Sequence, residues 1–137
     1  MITETLINKL KQDSTLLTLL GVTQHQDAPI QTYFNPLSLA SKSIVITFVY
    51  GETIEVGYEF GTVTVDVYVK DSVDTPIKIM NDIVLRILAV LDLKGSQLQD
   101  VYTSKIYILR KTDLSHLYDN NLHCHIASID FSFYCTR

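Results

Sequence analysis

Between residues 63 and 93 the hydrophobic period changes from two to about 3.6 across a turn of only a few residues. VTVDVYVK places Val63, Val65, Val67 and Val69 on one side, with Thr64, Asp66, Tyr68 and Lys70 opposite, the alternation of a strand with one buried face. The polar stretch DSVDT follows, and PIKIMNDIVLRILAVLDL at 76–93 then reads as an amphipathic helix. Pro76 suits the first helical position, Asp74 or Thr75 can cap it, and Lys94-Gly95 suits the end. Ile77, Met80, Val84, Ile87, Leu88 and Leu91 form the expected core stripe. Lys78, Asp82 and Arg86, four apart, form the expected solvated face. A one-sided strand feeding a one-sided helix requires a layer of helix on a layer of sheet.

The flanking segments extend this plan. Ile2, Leu6 and Leu10 mark a first helix, and Asp13, Ser14 and Thr15 offer caps for a second short one that Gly21 should stop. Residues 21–43, with Pro29 and Pro36, read as a long loop. SIVITFVY at 43–50 reads as a buried strand, followed by a two-residue turn at Gly51-Glu52. Apolar residues then occupy even positions (Ile54, Val56, Tyr58, Phe60) before switching to odd ones, so a bulge or bend is expected at Gly61. Two further strands are expected at 101–111 and 122–135, separated by a polar loop around DLSHLYDNN. The expected fold class is α+β, with element order α-β-β-α-β-β in one domain spanning 1–137. Its mostly antiparallel sheet has four strands or slightly more, and two helices pack on one face.

Composition narrows the function. Hydrophobic residues make up 47 % and charged residues 19 % of 137, which fits a globular fold with a real core. A formal net charge of −4 argues against sequence-independent nucleic-acid binding, which needs a basic face to neutralise phosphates. The start, MITETLINKLKQD, turns polar before any apolar run develops, and IVLRILAVL at 83–91 contains Arg86 and is too short for a bilayer. Two cysteines without a targeting segment suit a reducing cytosol and free thiols.

The stretch NNLHCHIASIDFSFYCTR at 120–137 is the chain's best candidate for metal or thiol chemistry. Cys124 and Cys135 are eleven residues apart, on the order of 36 Å along a regular strand, beyond disulfide reach. His123 and His125 would share one strand face, with Cys124 on the other. A zinc site would need a third ligand, for which His116 and Asp119 are the neighbours in sequence. A strand carrying histidines near its exposed end explains the stretch without metal. Neither a G-x-S-x-G elbow, a P-loop nor a G-x-G-x-x-G turn occurs. The expected catalytic, cofactor-binding and metal residues are therefore none, and no cofactor is expected. Glu52, Glu55 and Glu59, with no Lys or Arg between 43 and 69, make this hairpin the most negative expected surface.

VTVDVYVKDSVDTPIKIMNDIVLRILAVLD at 63–92 follows the pattern V-x-V-D-V-[YW]-x-K, a short Asp-containing turn, then a helix ending in Leu-Asp. It resembles the central strand and helix of the tail terminator (tail completion) proteins of long, non-contractile-tailed bacteriophages. IASIDFSFYC at 126–135 is similar to that family's closing strand, a hydrophobic run around an Asp-Phe pair. The N-terminal helix, the proline-bearing loop and the chain length agree as well, whereas residues 51–61 keep strand-like alternation where the family often has a variable loop. The resemblance implies a non-enzymatic virion structural protein, assembled in the host cytoplasm and located at the head–tail neck. It implies a hexameric ring that caps the tail tube, ends its elongation and presents a surface for head joining. The implied partners are other copies of the chain, the tail tube protein and a head-completion or stopper protein. DNA would pass without specific binding, and no membrane is involved. Glu52, Glu55 and Glu59 would then line the channel or a docking surface. The rival readings are another neck protein, such as a head–tail stopper, and a small metal-dependent hydrolase using His116, His123 and His125.

Overall fold

The valine alternation and the helix after it do form the two layers. A computed structural model describes residues 2–32, 40–50, 58–92, 97–100 and 105–136. Among these, the strands are β1 (Ile30–Gln31), β2 (Lys42–Tyr50), β3 (Tyr58–Lys70), β4 (Gln97–Asp100), β5 (Lys105–Asp119) and β6 (Cys124–Thr136). They form one sheet in the order β1-β2-β3-β6-β5-β4, with β1 parallel to β2 and every other pairing antiparallel. The helices are α1 (Ile2–Lys11), α2 (Ser14–Leu20) and α3 (Pro76–Leu91). The architecture is α+β, with a sheet somewhat larger than four strands.

The odd positions of β3 and β6 supply the core. Val63, Val65, Val67 and Val69 share one buried cluster with Ala127, Ile129, Phe131 and Phe133, and with Met80, Ile83, Val84 and Ile87 of α3. Leu6 and Leu10 of α1 and Leu16, Leu17 and Leu20 of α2 complete it. No helix among the described residues is long and apolar enough to cross a membrane.

Several expectations need correction. Met80, Val84, Ile87 and Leu91 of the expected α3 stripe are buried, but Ile77 is 55 % exposed, Leu88 is only partly buried, and Ile83 and Val90 take inward positions. Thr75 does occupy the N-cap of α3 and Pro76 opens the helix, but Thr75 is left-handed (φ 46°) and its side chain makes no capping bond. The helix stops at Leu91, with Asp92 as its C-cap. Lys94, Gly95, Gly51 and Glu52 lie outside the described residues. Gly61 marks no bulge, because β3 keeps an unbroken register with β6 from Tyr58 to Lys70. Phe60 instead occupies the face away from the helices, where its ring sits 6.4 Å from that of Tyr134. At Phe60 the parity change is thus a real change of face.

The long loop at 21–43 contains a 3-10 turn (His25–Asp27) and the two-residue β1. The polar stretch DLSHLYD is not a loop. It continues β5 to Asp119 in register with β6, past one irregularity between Lys111 and Asp113. Only residues 120–123 turn the chain.

Arg86 also departs from the solvated face. Lys78 and Asp82 do form the expected exposed i,i+4 pair at 3.0 Å. Arg86 instead donates from Nε (2.7 Å) and Nη2 (2.6 Å) to the carboxylate of Asp13, which also accepts the N–H of Leu16 (2.9 Å) and caps α2. Gly21, left-handed at φ 79°, ends α2 as expected and donates its N–H to the carbonyls of Leu17 and Thr18.

Candidate functional site on the sheet

The even positions of β3 and β6 face away from the helices, and their side chains are polar where the sequence alternates. Thr64 pairs with Asp130, and Asp66 with Ser128, across the two central strands. The Thr64 hydroxyl donates to Asp130 Oδ1 at 2.7 Å and the Ser128 hydroxyl to Asp66 Oδ1 at 2.5 Å. Asp130 stands directly opposite Asp113 on β5. Three carboxylates thus occupy three neighbouring strands, Asp66 diagonal to Asp130 and Asp130 beside Asp113. Like charges at such separations repel. Burial is the main cause that pushes the Asp66 carboxyl above the ordinary carboxylate range; the Ser128 bond opposes it and the nearby charge of Asp130 adds to it.

This has a testable consequence. A carboxyl raised in the folded state stabilises most when protonated, below its unfolded value, and that contribution is lost as pH rises through the folded value. Asp66→Asn, which keeps an acceptor for Ser128, is expected to remove that loss. Its stability relative to wild type should therefore improve on going from acidic to neutral pH in parallel denaturant titrations.

The sheet scatters the histidine and cysteine candidates. His123 is left-handed at φ 53° in the turn before β6, so it does not share a regular strand face with His125. The His125 ring packs tilted against Tyr118, ring centroids 4.9 Å apart, and the Tyr118 hydroxyl donates to Asp71. His116 is exposed on β5, and Asp119 accepts the N–H groups of Asn121 and Leu122 at the turn. Among the described residues no group of three His, Cys, Asp or Glu is placed to hold a metal ion. Cys124 is a buried free thiol, packed with Ile126 against Tyr68 and Leu122. Burial raises its pKa, which makes it a poor nucleophile. β6 runs unbroken from Cys124 to Thr136, so its backbone carries Cys135 well away from Cys124.

Of the acidic hairpin, Glu52 and Glu55 lie outside the described residues, and Glu59 is described only as a backbone position on β3 opposite Cys135. Sequence reading passed over Asp66, Asp113 and Asp130. The alternation placed Asp66 on the polar face, but only the strand register brings the three together.

No family model matches the chain, and no curated protein matches it. Solved structures do share the fold. A chain from the virion of a native gene transfer agent particle superposes with TM-score 0.68 at 10 % identity, covering 98 % of this chain and 94 % of that one. A second solved chain superposes with TM-score 0.58 at 14 % identity, over 98 % of this chain and 95 % of the other.

Proposed function

We propose that this chain is a non-enzymatic structural subunit of a phage-like virion, and within it a tail terminator. It would form a ring that caps the tail tube, ends its growth and receives the head. The observation that carries the virion role is the fold shared over 98 % of the chain with a component of a gene transfer agent particle. The finer assignment rests on the strand–helix pattern at 63–92 and the closing strand at 126–135. A scaffold role fits a site whose polar groups bond one another across strands. Single-domain organisation over 1–137 belongs to the same reading.

Electron microscopy of particles with gold-labelled protein tests it, together with particles lacking the protein. A terminator should label the head-proximal end of the tail, and its absence should give tubes of uncontrolled length beside unjoined heads. Label on heads alone, with tails of normal length when the protein is absent, would reassign it as a stopper. Zinc in stoichiometric amount in purified protein would favour the hydrolase reading.

Glu52, Glu55 and Glu59 would keep the passage wall negative so that DNA slides without being gripped. Replacing all three by Lys changes the local charge by six units. Such particles are expected to form tails but to retain or eject DNA abnormally, with the defect relieved by salt. Normal infectivity would remove these residues from the channel.

A further inference from the structure

β4 pairs with β5 only as far as Ile108, and the Asp92 carboxylate accepts the N–H of Lys111 at 3.2 Å. Beyond that point, among the described residues, β5 is bonded to a strand on one side only, by β6. Every residue from Lys111 to Tyr118 is exposed, including the apolar Leu114, Leu117 and Tyr118. Among the described residues this is a long exposed strand edge, the kind of edge that pairs with another strand. The Leu114 N–H is bonded by Asp113 Oδ1 at 2.8 Å, which places it on the open side. Outward groups recur at every second residue of an antiparallel ladder, so the main-chain groups of His116 and Tyr118 point the same way.

The opposite end of the same sheet offers a complementary edge. Three successive antiparallel pairings make β5 antiparallel to β2. Row by row, Lys42 lines up with Tyr118, and β1, beside Ile44 and Val45, lines up with His116 and Ser115. The open segment, TDLSHLYD, carries Asp113 and Asp119 and no Lys or Arg, whereas β2 carries Lys42 and no acid.

We propose that the open edge of β5 receives the β1–β2 edge of a second copy of this chain, continuing the sheet from subunit to subunit. With no stagger, β1 of one copy lies antiparallel against Ser115 and His116 of the next, and the row of Lys42 continues that of Tyr118. Two different patches meet, so the contact is heterologous and repeats until the rotation closes a ring. The Asp113 side chain holds the Leu114 N–H until a neighbour displaces it. The inference rests on the ring reading for its closure, but the edge contact is tested separately.

Sedimentation velocity and amide exchange over a concentration series test it on wild type, His116→Pro and Leu117→Lys. His116→Pro deletes an outward N–H, which an edge strand tolerates, and Leu117→Lys puts a charge on an exposed position. Wild type should associate with rising concentration and gain protection at Leu114, His116 and Tyr118. Each variant should keep its circular dichroism and melting temperature while associating about tenfold more weakly or worse. Association undiminished in both variants would overturn the edge contact and leave the ring reading standing. Association with another virion protein's strand only, or a wild-type monomer at every concentration, would also overturn it; the labelled particles judge the ring independently.

Discussion

Phe131→Ala is expected to destabilise the fold by about 3–5 kcal/mol, the usual cost of emptying a buried aromatic site. Among the described residues Phe131 is the largest fully buried side chain, and it stands on the helix-covered face of β6 between Val63 of β3 and Lys111 of β5. The hole would open where the strands and α3 meet, with β-branched neighbours that have little rotamer freedom to fill it. Urea titration by circular dichroism measures the loss. Leu85→Ala, at a position 65 % exposed on α3, serves as the control and should change stability by less than about 0.5 kcal/mol. Similar losses in the two variants would mean that α3 is turned the other way.

Asp13→Ala is the second such change, because one carboxylate does two jobs. Losing the cap of α2 alone costs about 0.5–2 kcal/mol. The same substitution also strips Arg86 of both its hydrogen bonds to Asp13 and removes the polar tie between the start of α2 and α3. Asp13→Asn separates the two effects: it keeps a capping oxygen and discards the charge. The Arg86 bond is the main cause that holds the Asp13 carboxyl below its ordinary value of 3.8. A lowered carboxyl contributes stability that is complete above the unfolded value and is lost as pH falls through the folded one. Wild type should therefore lose this contribution on acidification below about pH 4, and Asp13→Asn should show no such loss. If the two titrate in parallel, the guanidinium fork does not hold in solution.

These two residues show what could and could not be read along the chain. Asp13 as a cap and Gly21 as a stop are local chemistry, visible in a few letters. The Asp13–Arg86 fork joins residues 73 positions apart, and a regular charge pattern on α3 pointed to solvent instead. The odd valines of β3 were legible because one face is dry. The outer half of β5 was not: with every side chain from Lys111 to Tyr118 wet, DLSHLYD has no alternation to show and looks like a loop. Phe60 misled in the opposite direction, since a ring paired with Tyr134 on the far face resembles a core residue displaced by a bulge. The carboxylate diagonal required strand register, which no spacing along the chain encodes.

The order β1-β2-β3-β6-β5-β4 seats β6 in the interior of the sheet although every other strand precedes it in the chain. A nascent chain that has emerged from the ribosome only as far as β5 holds two disconnected fragments, β1-β2-β3 and β5-β4, each with an unsatisfied flank. The sheet can close only when β6 slides between them, so the cooperative step waits for synthesis to pass Thr136. Premature termination before Cys124 should consequently yield no partially active product, only aggregation-prone halves that proteases clear. That delay acts as quality control: no chain cut short of β6 can present a finished sheet.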